Sequence, residues 1–389
     1  MKIQIRNTFL RVLVVFLPFL PCQTFAHADY ADRTDVSAFI EEIAARNQLD
    51  TASIRAALFR ASHNPRVIEL IKPPATRGVR SWRRYRSRFI DRIHLDAGLQ
   101  AWTQYEHLLR RAEKEYGIPP EIILGILGVE TIYGRNTGNF ETLSALATLA
   151  FDYPLRAELF RGELEALFLL AHEQKRHPAS YVGSYAGALG WPQFLPSSMR
   201  RYAVDFDGDG QIDFDRDGND AIGSIANYLR EYGWVAGAPI AVKARLAPHA
   251  DPAPLVEAGV EPSLSPAQLA EAGIHPLTSA PSAGEATLID LETPGEDTEY
   301  WLGYRNFYVI TRYNRSNFYA MAVFQLANAL RESRGGAFAP ESRATAHKPA
   351  KAKPRKPTKA KPHAKPRKPA KAKPRAKPRK PVQTRKTRR

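Results

Sequence analysis

One acid in the chain stands where proton chemistry would use it. Ile122, Ile123, Ile126 and Leu127 recur at helical spacing, and Glu130 follows Ile126 by four positions, Leu127 by three and Ile123 by seven. Glu130 therefore falls on the apolar stripe of a helix that Pro119-Pro120 starts and Tyr133-Gly134 closes. A carboxyl held partly out of water has its pKa raised toward the range of a general acid, the property required of a proton donor to a glycosidic oxygen. The same position would also suit a structural glutamate paired with an arginine, for which Arg135 and Arg156 are available.

Two further stretches carry chemistry. Ser184 to Ser198, SYAGALGWPQFLPSS, mixes small residues, aromatics and the amide of Gln193. Glycines let a ligand approach backbone, aromatics stack on sugar faces, and an amide both donates and accepts, so the segment suits a groove wall; a tightly packed turn has the same composition. Next, Asp205-Phe206-Asp207-Gly208-Asp209-Gly210-Gln211-Ile212-Asp213 sets oxygen ligands at alternate positions with glycine sixth, the start of a calcium loop. Asp205, Asp207, Asp209 and Gln211 are the expected ligands. Arg216 stands at the twelfth position where such loops carry glutamate, so Asp220, or failing that Asp217, is expected to close the shell. With oxygen ligands and no His or Cys cluster, the ion is expected to be structural.

The elements that must position these residues are mainly helical, an α+β chain. Helical spacing runs from about Asp35 to Leu170 and is expected again after Pro196, from Asp220 to Tyr232 and from Tyr319 to Leu330. Between 237 and 314 proline and glycine become frequent, and Ala286–Leu291 and Phe307–Thr311 read as strands. The expected organisation is a catalytic region over 29–236 with the calcium loop at 205–220, a small β-containing subdomain over 237–314, and a returning helix over 315–335.

The two ends have their own character. Lys2, Arg6 and Arg11 lead into the apolar run Val12 to Leu20, then Ala26-His27-Ala28, which reads as an export signal over 1–28 cleaved after about Ala28. The run is too short for a membrane span and is broken by Pro18. Pro21 before Cys22 argues against lipid anchoring, and cleavage would remove the only cysteine, so no intramolecular disulfide is expected. Residues 343–389 hold 21 Lys and Arg and no Asp or Glu, so the net charge of +16 leaves −5 for everything before them. The Lys/Pro/Arg repeats after Ala346 are expected to be extended, retained electrostatically on anionic wall or membrane-surface polymer rather than bound to a specific nucleic acid.

Taken together, Gly128-Val129-Glu130-Thr131-Ile132-Tyr133-Gly134, the Ser184 to Ser198 segment, Ala203 through Ser224, and Asn306-Phe307-Tyr308 through Tyr319-Ala320-Met321-Ala322-Val323 resemble the lytic murein transglycosylase B family, in its order, from about Asp35 to Leu330. The resemblance implies a lysozyme-like helical core with added N-terminal helices, a small β region and an EF-hand-like calcium site. It implies cleavage of peptidoglycan glycan strands without water, leaving a 1,6-anhydro ring, with Glu130 as the catalytic residue. By the same resemblance Ser184, Gln193, Tyr228 and Asn314 are groove residues, with Tyr313 and Tyr319 in the segment of Asn314. The family often has paired arginines where this chain has Leu155-Arg156, and an aromatic-glycine pair where it has Trp191-Pro192, so Arg156 is carried as a substrate-binding residue with its contacts open. The expected protein is a periplasmic monomer with no transmembrane span; its rivals are a hydrolytic muramidase and a non-catalytic wall-binding scaffold.

Overall fold

The computed structural model describes residues 30, 32–73, 78–278 and 284–335. The N-terminal third is a run of helices: α1 Thr34–Asn47, α2 Thr51–Arg60, α3 Pro65–Ile71, α4 Trp82–Arg86, α5 Arg92–Gln104 and α6 Glu106–Tyr116. Short polar side chains start several of them by accepting from otherwise unpaired first-turn N–H groups. Asp50 caps α2, Asn64 α3, Ser81 α4 and Asp91 α5.

The centre is α7, Pro120–Thr131, whose 12 residues are all buried except Val129 and Glu130 near its end. A helix that is apolar all round belongs inside a bundle rather than on its surface. It is packed by α5, α6, α11 Asn219–Glu231 and, most closely, the last helix α15 Asn317–Ser333. Gly125 permits that approach, since a Cβ there would lie 2.7 Å from the Val323 carbonyl oxygen. Helix α8 Thr142–Asp152 is equally buried and pairs with α9 Ala157–Glu173, against which α10 Pro196–Tyr202 packs. Two short strands, β1 Phe140–Glu141 and β2 Val182–Gly183, pair antiparallel between these helices.

After α11 the chain forms a four-stranded antiparallel sheet in the order β4-β3-β6-β5, from β3 Ala241–Leu246, β4 Ile274–Pro276, β5 Thr287–Leu291 and β6 Glu299–Gly303. Two short helices, α12 Ala253–Glu257 and α13 Pro266–Glu271, lie within it in sequence. Strand β5 is buried on both faces: Leu288 joins a small cluster with Leu302, Ile274 and Leu269, while Ile289 and Leu291 join the main core.

The expected helices after Pro196, near Asp220 and near Tyr319 are present, as is the strand expected at Ala286–Leu291. Phe307–Thr311 is not a strand. It lies in α14, Arg305–Tyr313, because Phe307 and Ile310 share a helical face with Asn306 and Val309 that closes the main core, and this burial overrides the local β preference of aromatic and β-branched residues. The expected signal segment and the basic tail lie outside the described residues.

Candidate active site

Glu130 is on the last turn of α7, where the backbone reverses through three residues with positive φ, Ile132 at 52°, Tyr133 at 55° and Gly134 at 83°. A β-branched residue in the left-handed region is strained, and such strain persists only when the surroundings impose it. Here they do. Thr131 Oγ1 accepts from the Gly134 N–H (3.0 Å) and donates to the Trp191 carbonyl (3.0 Å), and a Cβ on Gly134 would run into the Trp191 ring.

The carboxyl is half-buried and its Oε1 accepts from the Tyr319 hydroxyl at 2.6 Å. Burial raises its pKa from 4.5 to about 7, with the Tyr319 bond pulling the other way. Neither Arg135 nor Arg156 forms an ion pair with it among the described residues, which removes the salt-bridge reading. Tyr319 stacks on Tyr313, with ring centroids 6.4 Å apart and planes 11° apart, and the Tyr313 hydroxyl donates to the Pro192 carbonyl at 2.6 Å. Burial and the nearby Glu130 charge keep both hydroxyls well above the usual tyrosine pKa, so they remain donors. Tyr228 packs 4.9 Å from Tyr313 and donates to the Arg312 carbonyl at 2.7 Å.

The 184–198 segment is a chain of tight turns. Ser184 Oγ accepts from the Ala188 N–H and the Ser184 N–H donates back to the Ala188 carbonyl, at 3.0 and 2.8 Å. Gln193 has a positive φ of 53°, and its Nε2 donates to the carbonyls of Gly190 (2.8 Å) and Thr137 (3.1 Å). Its Oε1 makes no hydrogen bond among the described residues. Gly190 lies against Phe214 and the Trp191 N–H donates to the Phe214 carbonyl at 3.0 Å, which ties these turns to the acidic loop.

In that loop one carboxylate oxygen each of Asp205, Asp207 and Asp209 lies within 4.8 Å of the others. Asp220, expected to close the shell, stands outside this group: its two oxygens accept from the Phe206 and Asp213 N–H groups at 2.7 and 2.8 Å, bracing the loop from the start of α11. Asp217 accepts from the Asn219 N–H at 2.9 Å.

Residues 31–328 match the Transglycosylase SLT domain family. The chain is 42% identical over 311 residues to the membrane-bound lytic murein transglycosylase B of Escherichia coli strain K12, covering 78% of this chain and 84% of that protein. The chain belongs to the lytic murein transglycosylase B family. Its fold superposes on E. coli Slt35, solved in complex with calcium, at TM-score 0.72 and 42% identity over 79% of this chain and 96% of that one. It also superposes on SltB3 of Pseudomonas aeruginosa, solved with NAG-anhNAM-pentapeptide, at TM-score 0.67 and 30% identity over 76% and 78%.

This transglycosylase therefore has the lysozyme-like fold of a family of enzymes acting on peptidoglycan. Of its expected groove residues, Tyr319, Tyr313 and Tyr228 form one aromatic run reaching Glu130, and Gln193 adjoins it through Pro192. Asn314 is exposed at the end of α14 and follows Tyr313 only along the chain. Arg156 is exposed on the turn Pro154–Arg156, its guanidinium 5.9 Å over Phe160, and among the described residues no hydrogen bond or ion pair links it to Glu130. Two neighbours escaped sequence reasoning. Thr131 sits in the quoted motif without an assigned role, and Tyr85, whose hydroxyl pKa is raised by burial and by the Glu130 charge, comes from α4, where no spacing relates it to α7.

Proposed function

We propose that the chain cleaves the β-1,4 bond between N-acetylmuramic acid and N-acetylglucosamine in peptidoglycan, forming a 1,6-anhydromuramic end, with Glu130 as sole acid and base. The observation that carries this is a half-buried carboxyl with a pKa of about 7 whose partner is a neutral tyrosine hydroxyl instead of a cation. Such a group is protonated often enough to give a proton and ionised often enough to take one back at neutral pH.

In the first step protonated Glu130 gives its proton to the bridging oxygen while the muramic 2-acetamido oxygen bonds to C1, so the C1–O bond breaks and an oxazolinium forms. In the second, ionised Glu130 takes the proton of the C6 hydroxyl, O6 bonds to C1 and the acetamido group is released. Glu130 ends protonated, as it began. Two-carboxylate glycosidases need a second acid near the bond; here the substrate's acetamido group replaces it. In this reading the free Oε1 of Gln193 and the amide of Asn314 hold that group, since neutral amides do not compete for the proton. Ser184, Tyr228, Tyr313 and Tyr319 shape the groove, and Arg156 serves an outlying part of the strand. The calcium seen with Slt35 supports a structural ion here, held by Asp205, Asp207, Asp209 and Gln211, with Asp220, or failing that Asp217, closing the shell; its contribution is to neutralise clustered carboxylates.

The working compartment is the periplasm, reached by export of residues 29–389. Among the described residues no helix is long and apolar enough to cross a membrane. The test is digestion of purified peptidoglycan read by mass spectrometry. Anhydromuramic ends are expected, and Glu130→Gln should lower turnover by a factor on the order of 10^3 with the fold kept. Reducing muramic ends would make the chain a hydrolase, and full activity of the variant would remove Glu130 from the chemistry.

A further inference from the structure

Glu130 and Gln193 reach the site from separate parts of the chain, the end of α7 and the 190–194 turn, and two hydrogen bonds join those parts. Thr131 Oγ1 donates to the Trp191 carbonyl at 3.0 Å, and Gln193 Nε2 donates to the Thr137 carbonyl at 3.1 Å. The first starts from the neighbour of Glu130 and the second from Gln193 itself.

Thr131 is fully buried, and its hydroxyl has a single proton to give. Within a helix that proton ordinarily goes to the carbonyl four residues back, but the Leu127 oxygen is 3.4 Å away and the Trp191 oxygen 3.0 Å. The hydroxyl oxygen accepts from the Gly134 N–H at 3.0 Å. One atom therefore closes the left-handed reversal after Glu130 and ties it to the turn that carries Gln193. Valine would fill the same space and make neither bond, so packing alone does not call for the hydroxyl.

The two sides of this tie are not equally fixed. Helix α7 is packed by α5, α6, α11 and α15, and Tyr319 holds the Glu130 carboxyl, so the acid keeps its place without Thr131. The turn is held from its outer side, by the Phe214 carbonyl on the Trp191 N–H and by the Tyr313 hydroxyl on the Pro192 carbonyl. Gln193 adopts a positive φ of 53°, a conformation that lasts only while its surroundings impose it. Among the described residues the Thr131 bond is the one that runs from this turn to α7 itself.

We propose that Thr131 is a positioning residue, whose hydroxyl sets the separation between the Glu130 carboxyl that gives the proton and the Gln193 amide that holds the acetamido group. The proposal rests on the reaction assigned above and names the side chain that keeps its two halves in register.

The experiment uses the full chain with calcium and purified peptidoglycan, with rates taken well below the melting midpoint of each variant. Thr131→Val should lower kcat by about 10- to 100-fold and leave KM within about 2-fold, because a misplaced group costs turnover more than binding. The alkaline limb of its pH profile should stay with that of the parent, since α7 and Tyr319 still hold Glu130. Thr131→Ser restores the hydroxyl and should bring kcat back to within about 3-fold of the parent. On a Gln193→Ala background the loss caused by Thr131→Val should shrink to about 3-fold or less, because no amide remains to be placed. Should Thr131→Val not fold, Thr131→Ala takes its place in the same cycle. Unchanged kcat in Thr131→Val, equal losses in the valine and serine variants, or an undiminished loss on the Gln193→Ala background would each overturn the proposal. The products separate the two claims. Anhydromuramic ends together with additive losses leave the reaction standing and remove only the role of Thr131, whereas reducing ends, or an active Glu130→Gln, remove the reaction itself.

Discussion

At the scale of residues, Glu130 is governed by two opposed influences, burial that favours its neutral form and the Tyr319 hydroxyl that favours its ionised form. Tyr319→Phe removes the second and leaves the first. The pKa should then rise above its present value of about 7, by about one pH unit, and the alkaline limb of the kcat profile, where the acid is lost, should move up by the same amount. A limb that stays in place would mean that another group titrates there. The same balance has a stability consequence. Because the folded pKa is above the unfolded one, the fold gains from the neutral carboxyl fully below about pH 4.5 and loses that gain as pH rises to about 7. Glu130→Gln should therefore be more stable than the parent above pH 7, by up to about 3 kcal/mol, and no more stable at pH 4. Denaturant titrations at the two pH values would read this difference, which would be absent if Glu130 were hydrated.

At the scale of elements, the Glu130–Tyr319 pair exists because α7 and α15 approach closely at Gly125, with no side chain between that backbone and Val323. Gly125→Ala should push the helices apart, costing about 1–3 kcal/mol by overpacking despite the better helix propensity of alanine. The 2.6 Å contact should lengthen, so activity should fall more than thermal unfolding alone explains, which rate measurements well below the melting midpoint would isolate. Much at this scale was legible in the sequence. The isoleucine spacing fixes α7 and the face of Glu130, prolines mark its start and that of α10, and the alternate aspartates mark the loop. What was not legible depends on partners distant in sequence. Phe307–Thr311 has strand-forming residues and becomes helical only because the main core covers Phe307 and Ile310. Tyr85 reaches the site across the fold, and the hydrogen bonds of Asp220 to the Phe206 and Asp213 N–H groups are ones that sequence spacing does not reveal.

At the scale of the whole molecule, the acidic loop adds hydrogen bonds among parts of one shared core. The Phe206 carbonyl accepts from Arg111 on α6 at 2.7 Å, the Ile212 carbonyl from Gln174 after α9 at 3.1 Å, and the Phe214 carbonyl from Trp191, beside the turn that holds Tyr313 and Gln193. Three carboxylates within 4.8 Å repel one another, and the contacts of Arg216 with Asp209 (3.2 Å) and Asn219 with Asp207 (2.9 Å) offset only part of that. A calcium ion bound among them, as proposed, would offset the rest. At a free concentration of about 100 times its Kd it would add about 2.7 kcal/mol, worth roughly 4 °C in melting midpoint for a folded body of about 300 residues. Melting with calcium and with chelator should differ by that margin, and Asp205→Ala should abolish the difference. Because the acidic loop contributes no group to the Glu130 site, chelator should leave turnover at 25 °C nearly unchanged and abolish it between the two midpoints, as the loop loosens and the 190–194 turn with it. Equal midpoints would mean that the arginine and asparagine contacts suffice, and a loss of turnover at 25 °C with the fold intact would place the ion in the chemistry instead.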